Sequence, residues 1–257
     1  MLARAGLGSR REMETWIEAG RVSINGRIAR LGDCAAPGDV LAVDGRRVHA
    51  LRLKPKGIRL LGYYKPAGIV CSRRDPEGRP TVYDQMPRRY RGRWISIGRL
   101  DLNTSGLLLF TNHGELAHRL MHPSHEVVRE YAVRVLGDPP PDILERLRIG
   151  VPLEDGLARF DAIEDAGGQG ANRWFHVTLR EGRNREVRRL WESQGVTVSR
   201  LIRIRYGAVS LPREVRQGKW WELEPPEVEA LLRLVGMEPP AEEPRPKRTW
   251  RPQKRIA

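Results

Sequence analysis

The sequence predicts an α+β protein in two unequal parts, a small basic module and a larger domain built on a largely antiparallel sheet. Three observations carry this expectation. Helical and strand patterns are interspersed along the 257 residues without the regular βαβ spacing of a parallel sheet. Residues 202–206 alternate apolar and polar side chains and 131–135 alternate large apolar residues with Ala132 and Arg134, as strands do. The first 48 residues hold cap, helix, stop and hairpin signals of their own.

In that first part Ser9 and Glu12 have the spacing of a capping box. Met13, Trp16 and Ile17 then follow at the spacing of one helical face, and Gly20 is a natural stop. Val22 and Ile24 alternate into Asn25-Gly26, and Val40, Leu41 and Val43 run into Asp44-Gly45, two hairpin-turn dipeptides. The module reads as short helices followed by a small twisted sheet. Its cations Arg4, Arg10, Arg11, Arg21, Arg27 and Arg30 bracket those elements. Residues 49–58 form a basic linker.

The larger part, 59–236, opens with a strand, RLLGYY, that runs into Lys65-Pro66-Ala67-Gly68. A turn-rich loop, DPEGRPTV, follows at 75–82. Trp94, Ile95 and Ile97 mark a strand leading to GRLDLNTSGLLLFTN at 98–112, whose Leu107-Leu108-Leu109-Phe110 is the run of a strand buried on both faces. Asn112 and Glu115 form a possible capping pair for a helix carrying Leu116, Leu120 and Met121, ended by Pro123. A helix is expected over 139–150, a strand over 174–179, and a helix over 184–195 with Asn184 as its cap and Val187, Leu190 and Trp191 facing the core. From Met237 the chain is Pro-rich and basic, too poor in apolar residues to build a core, so 237–257 is expected to be a disordered tail.

The composition narrows the function. With 46 Lys and Arg against 32 Asp and Glu, the net charge is +14, which favours a polyanionic partner. No run of about 20 apolar residues could span a bilayer, and MLARAGLGSRREMETW lacks a signal-peptide core, so the cytoplasm is the default location. Cys34 and Cys71 lie far apart and outside any CxxC pattern, against a disulfide framework. His118, His122 and His125 are close in sequence, but Pro123 interrupts them and no carboxylate or thiol completes a metal set. No GxxxxGK[ST] loop is present.

Two stretches can carry chemistry. Asp101 sits in a polar loop just before the apolar run, with Arg99 beside it. It is either a surface carboxylate paired with Arg99 or one held at the rim of the core for chemistry, where burial raises its pKa and a cation lowers it again. The segment EGRNREVRRLWE at 181–192 is either a solvated basic face or the source of that cation. If Asn184 caps the helix, Arg188 borders its apolar stripe, while Arg185 and Arg189 point toward solvent.

The stretch LARAGLGSRREMETWIEAGRVSINGR resembles the S4 RNA-binding domain, whose members carry a few more residues ahead of the position of Leu2. The ordered set KPAG, GRLDLNTSGLLLFTNHGE, REYAVRV, EGRNREVRRLWE and SRLIRIRYG resembles ribosomal RNA pseudouridine synthases that carry an N-terminal S4 domain. The DPEGRPTV loop and SRLIRIRYG are most similar to the branch acting on large-subunit RNA. The resemblance implies a small S4 domain and a catalytic domain with a largely antiparallel mixed sheet flanked by helices. It implies isomerisation of one uridine of 23S ribosomal RNA, near the peptidyl-transferase region, in the free RNA or a large-subunit precursor. It implies no cofactor, no metal and no membrane, and a monomer is the default. It makes Asp101 the catalytic carboxylate, Tyr131 a catalytic residue that stacks on the target base or acts in proton transfer, and Arg188 the cation paired with Asp101. Arg99 would fill the space left by the flipped base, and Arg129, Arg183, Arg10, Arg11, Arg21 and Arg27 would contact RNA. The rival is a non-catalytic RNA-binding protein built on the same S4 module, which would not need Asp101, Tyr131 and Arg188 together.

Overall fold

The computed structural model describes residues 2–239 apart from positions 4, 6, 37, 50–56, 91–92 and 170. Most of the expected linker and nearly all of the expected tail lie outside the described residues.

The N-terminal module follows its local signals closely. Helix α1 (Arg10–Glu18) starts with a complete capping box: the Glu12 N–H donates to Ser9 Oγ at 3.1 Å and the Ser9 N–H to Glu12 Oε2 at 3.2 Å. Strands β1 (Val22–Ile24), β2 (Arg27–Ile28), β3 (Leu41–Val43) and β4 (Arg46–Arg47) form an antiparallel sheet in the order β2-β1-β3-β4. Its two hairpins turn at Asn25-Gly26 and Asp44-Gly45, where all four residues have positive φ, as such two-residue turns demand. Met13, Val22, Leu41, Ala29, Leu2 and Val48 close a small core. A single helix precedes this sheet among the described residues, where short helices in the plural were expected.

The larger domain is organised around one nine-stranded sheet. In chain order its strands are β5 (Leu60–Lys65), β6 (Ile95–Ile97), β7 (Ser105–Thr111), β8 (Arg129–Leu136), β11 (Ala162–Gln169), β12 (Asn172–Leu179), β13 (Val198–Tyr206), β14 (Val209–Ser210) and β15 (Trp220–Glu222). The spatial order is β11-β12-β8-β13-β7-β5-β15, with β6 added to β7 and β14 to β13. Every pairing is antiparallel except β7 with β13. Strands β9 (Val151–Leu153) and β10 (Gly156–Ala158) form a separate hairpin. Helices α2 (Gly114–Met121), α3 (Pro141–Ile149), α4 (Glu186–Glu192) and α5 (Pro225–Leu234) flank the sheets.

The apolar run explains the centre of this sheet. All seven residues of β7 are buried, and their period of two splits them between two cores. Leu108 and Phe110 enter the cluster containing Trp191, Phe175 and Tyr63, whereas Leu107 and Leu109 enter the one containing Leu116, Leu120 and Leu231. At the start of β7 the backbones of β7 and β13 approach closely. Gly106 has φ +111°, and a Cβ there would lie 2.3 Å from the Arg203 carbonyl oxygen. Gly106→Ala is therefore expected to lower stability by about 2–4 kcal/mol, read as a drop in the denaturation midpoint. An unchanged midpoint would show that β7 and β13 can part without cost.

Two helix starts differ from expectation. Asn112 does not cap α2. Its amide instead ties β5, accepting the Arg59 N–H and donating to the Gly57 carbonyl, both at 2.9 Å, and His113 Nδ1 caps the Leu116 N–H at 3.2 Å. Helix α4 starts at Glu186 after Arg185, so Asn184 is not its cap.

Candidate active site

Asp101 lies in the loop between β6 and β7, half-buried, and the backbone around it is pinned from two sides. On one side is Lys65, the last residue of β5, at 0% exposure. Its ammonium donates to the carbonyls of Pro66 (3.0 Å), Asp101 (3.2 Å), Leu102 (3.4 Å) and Thr104 (2.9 Å). The Gly68 N–H adds a bond to the Leu102 carbonyl at 2.8 Å, and the Thr104 N–H one to the Asp101 carbonyl at 3.1 Å. The Leu100 N–H rests on Cys71 Sγ at 3.4 Å. On the other side, buried Arg188 reaches out of α4, with Nη2 donating to the Asn103 carbonyl at 3.0 Å and Nη1 to the Val198 carbonyl at 2.9 Å. Every carbonyl from Asp101 to Thr104 is thus engaged. The Asp101 carboxylate itself makes no hydrogen bond or ion pair among the described residues.

The electrostatics follow from this burial. Desolvation lowers the Lys65 pKa from its ordinary value, with Cys71 and Asp101 opposing. Desolvation likewise lowers that of Arg188, Arg185 adds to the effect, and Asp101 opposes it. Both cations therefore feel the Asp101 charge through space. The contact ion pair expected between Asp101 and Arg188 is not formed. Arg188 donates instead to two backbone carbonyls, the buried one of Val198, which would be costly to leave unpaired, and that of Asn103 two residues beyond Asp101.

Tyr131 is brought to the same region by register. It pairs across β8 and β13 with Arg203, which in turn pairs with Gly106 at the start of β7. Two strand spacings, about 10 Å, separate Tyr131 from that end of β7. Leu100 and Tyr131 line the same core cluster, and the Tyr131 hydroxyl has no hydrogen bond among the described residues. Arg99 is exposed and carries no ion pair among them.

Other arginines singled out from the sequence are used differently. Arg129 turns inward: its Nη1 donates to the carbonyls of Val127 (2.9 Å), Arg180 (2.7 Å) and Glu181 (3.0 Å), and its guanidinium lies 5.1 Å over the Tyr206 ring. It braces the sheet rather than facing a ligand. Arg183 is bound to Glu181 and to the carbonyls of the β9–β10 turn. In the N-terminal module Arg21 pairs with Asp44 at 2.6 Å over the Trp16 ring, and Arg27 pairs with Asp33 at 3.0 Å. Arg10 and Arg11 stay exposed on α1, without an ion pair among the described residues. Tyr63 is a core residue stacked on Trp220 at 4.2 Å, and burial pushes its phenol up to about 12. Cys71 is likewise enclosed, and burial raises its thiol pKa.

Lys65 stands in the KPAG motif, yet the sequence reading gave it no role at the Asp101 loop. A signal was available. Leu61, Tyr63 and Lys65 are two apart on one strand, so Lys65 shares their buried face, and a lysine there needs several acceptors close by. Arg203, 2% exposed, was also missed; its Nε donates to the Leu107 carbonyl at 2.8 Å beneath the row joining Gly106 to Tyr131.

The Asp101 carboxylate has no partner among the described residues, Tyr131 lies at the rim of the neighbouring core, and a basic module sits on the same chain, an arrangement compatible with chemistry on a nucleic acid. Comparison with known proteins fixes the class. A family model described as RNA pseudouridylate synthase matches residues 59–193, and one for the S4 domain matches residues 1–41. The chain is 57% identical over 244 residues to the ribosomal large subunit pseudouridine synthase B of Pasteurella multocida (strain Pm70), covering 94% of this chain and 70% of that one. It is 56% identical over 241 residues to the protein of that name from Escherichia coli (strain K12), covering 93% and 83%. A solved structure described as a crystal structure of pseudouridylate synthase superposes with a TM-score of 0.61 at 25% identity, covering 90% of this chain and 96% of that one. The chain belongs to the RNA pseudouridylate synthase family, with an S4 domain at its N-terminus.

Proposed function

We propose that this protein isomerises one uridine of large-subunit (23S) ribosomal RNA to pseudouridine, in the cytoplasm, on free RNA or on a precursor of the subunit. The observation that carries this is the Asp101 carboxylate, held by a fully engaged loop backbone and left free of any partner among the described residues. The large-subunit target rests on the names of relatives at 56–57% identity.

The chemistry matches the residues. The N-glycosidic bond of uridine breaks, the detached uracil turns, C5 joins the sugar, and the C5 proton is lost while N1 gains one. Nothing is oxidised or reduced. One ionised carboxylate serves, either as the nucleophile or as the base that removes the C2′ proton, and Asp101 supplies it. The target base must leave its stack, at a cost of a few kcal/mol. Stacking on Tyr131 offsets about 1–3 kcal/mol of that. Arg99, exposed beside the loop, occupies the vacated space. Arg188 and Lys65 fix the Asp101 loop and place positive charge behind the carboxylate. Arg10 and Arg11 on α1, exposed and without an ion pair among the described residues, offer cations to phosphates, so affinity should fall steeply with salt.

The test is a strain lacking this protein. Pseudouridine mapping of its ribosomal and transfer RNA should show the loss of one site in the large-subunit RNA. Loss confined to small-subunit or transfer RNA would overturn the assigned target. An unchanged map would favour the non-catalytic RNA-binding alternative.

A further inference from the structure

Helix α4 carries Arg188 but lacks the usual means of fixing its own start. Arg185 precedes it in the left-handed conformation, φ 50°, and no side chain caps it. The helix is instead held from outside by the tip of the β9–β10 hairpin. Arg189 Nη1 and Nη2 donate to the two carboxylate oxygens of Asp155 at 2.9 and 2.8 Å, while its Nε donates to the Asn184 carbonyl at 2.9 Å. Arg183, just before the helix, donates to the carbonyls of Asp155 (3.3 Å), Gly156 (3.4 Å) and Leu157 (2.9 Å). Buried Glu186 completes the clamp by accepting the Arg183 N–H at 3.2 Å. Hydrogen bonding by Arg189 holds the Asp155 carboxyl below the usual carboxylate range, so it is ionised at neutral pH.

Isolated surface ion pairs contribute little. This one has the two-bond fork geometry that fixes orientation as well as distance. It also joins a hairpin outside the main sheet to a helix that grips the Asp101 loop through the Arg188 bond to the Asn103 carbonyl. We propose that Asp155 is a positioning residue for the isomerisation: by clamping Arg189 and Arg183 it sets the placement of α4, and through Arg188 the placement of the loop that carries Asp101. This rests on the roles proposed above for Asp101 and Arg188.

The test uses the full chain and a large-subunit RNA fragment that the wild type converts. Single-turnover rate, RNA Kd and Tm are measured for Asp155→Asn, Asp155→Glu, Arg189→Met and the Asp155→Asn/Arg189→Met double variant. Asp155→Asn should convert about 10-fold more slowly, because small displacements of reacting groups are costly. Its Kd should stay within about twofold by the same reasoning, and its Tm within about 2 °C. Asp155→Glu should keep most of the rate, and the double variant should be no slower than Arg189→Met alone, since that variant already lacks the Asp155 clamp along with the Asn184 bond. A wild-type rate in Asp155→Asn, a weakened Kd at unchanged rate, a rate loss explained by unfolding at the assay temperature, or additive losses in the double variant would each overturn the proposal. Asp101→Asn run alongside separates the two ideas: if it is inactive while Asp155→Asn is fast, only the clamp fails; if it is active, the reading beneath the clamp fails.

Discussion

Asp101→Asn is expected to abolish uridine conversion, by at least about 10³-fold in single turnover, while RNA affinity stays within a few-fold. The size follows from the arrangement. An amide keeps the shape of the carboxylate but can act neither as an anionic nucleophile nor as a base, and losing such a group commonly costs 10²–10⁴-fold or more. Affinity should hold because, among the described residues, Asp101 makes no bond that shapes its loop through its side chain; its backbone carbonyl does that work, taking bonds from Lys65 and the Thr104 N–H. The substitution also removes a negative charge from beside two buried cations, so RNA binding could tighten slightly but not collapse. A variant that retained more than a tenth of the wild-type rate would remove Asp101 from the reaction. A variant that lost both rate and affinity would make it a binding residue.

Lys65→Met is the second large effect, and it reads on stability and rate together. Methionine fits the space of the lysine chain but donates nothing. The Asp101 carbonyl would keep the Thr104 N–H and the Leu102 carbonyl would keep the Gly68 N–H, but the Pro66 and Thr104 carbonyls would lose the Lys65 donor. The Thr104 acceptor is buried and the Pro66 one part-buried; an unsatisfied buried acceptor costs about 1–3 kcal/mol, a part-buried one less, and relief from burying an ammonium returns part of that. A net loss of about 1–2 kcal/mol is expected from a denaturant titration. Conversion should slow about 10²-fold at temperatures where the variant is folded, because the loop holding Asp101 loses the donor that gathers its carbonyls. A variant as stable and as fast as the wild type would show that the loop is held by its own turn and by Arg188.

Much of this protein is legible from local signals because those signals are local in cause. Asn25-Gly26 and Asp44-Gly45 turn the chain where positive φ is required, and Ser9 with Glu12 closes a capping box within four residues. The run from Leu107 to Phe110 reads as a strand buried on both faces and is one. What escaped is set by distant partners. Arg129 looks like a surface cation ahead of Tyr131, but its fate is decided by the carbonyls of Arg180 and Glu181, some fifty residues away. Arg188 was expected to meet the Asp101 carboxylate, and the carbonyls of Asn103 and Val198 claim it. The β9–β10 hairpin, three residues per strand, is too short for a period to register. The α5 helix went unread although Pro225-Pro226 and Glu227 mark its first turn.

The most direct test of the central claim is release of tritium from large-subunit ribosomal RNA labelled at C5 of uridine, incubated with purified protein and no added cofactor. Joining C5 to the sugar expels that hydrogen, so release should rise to one equivalent per RNA molecule and stop, and the Asp101→Asn protein should release none. A wild-type protein that binds this RNA yet releases no tritium would contradict the account.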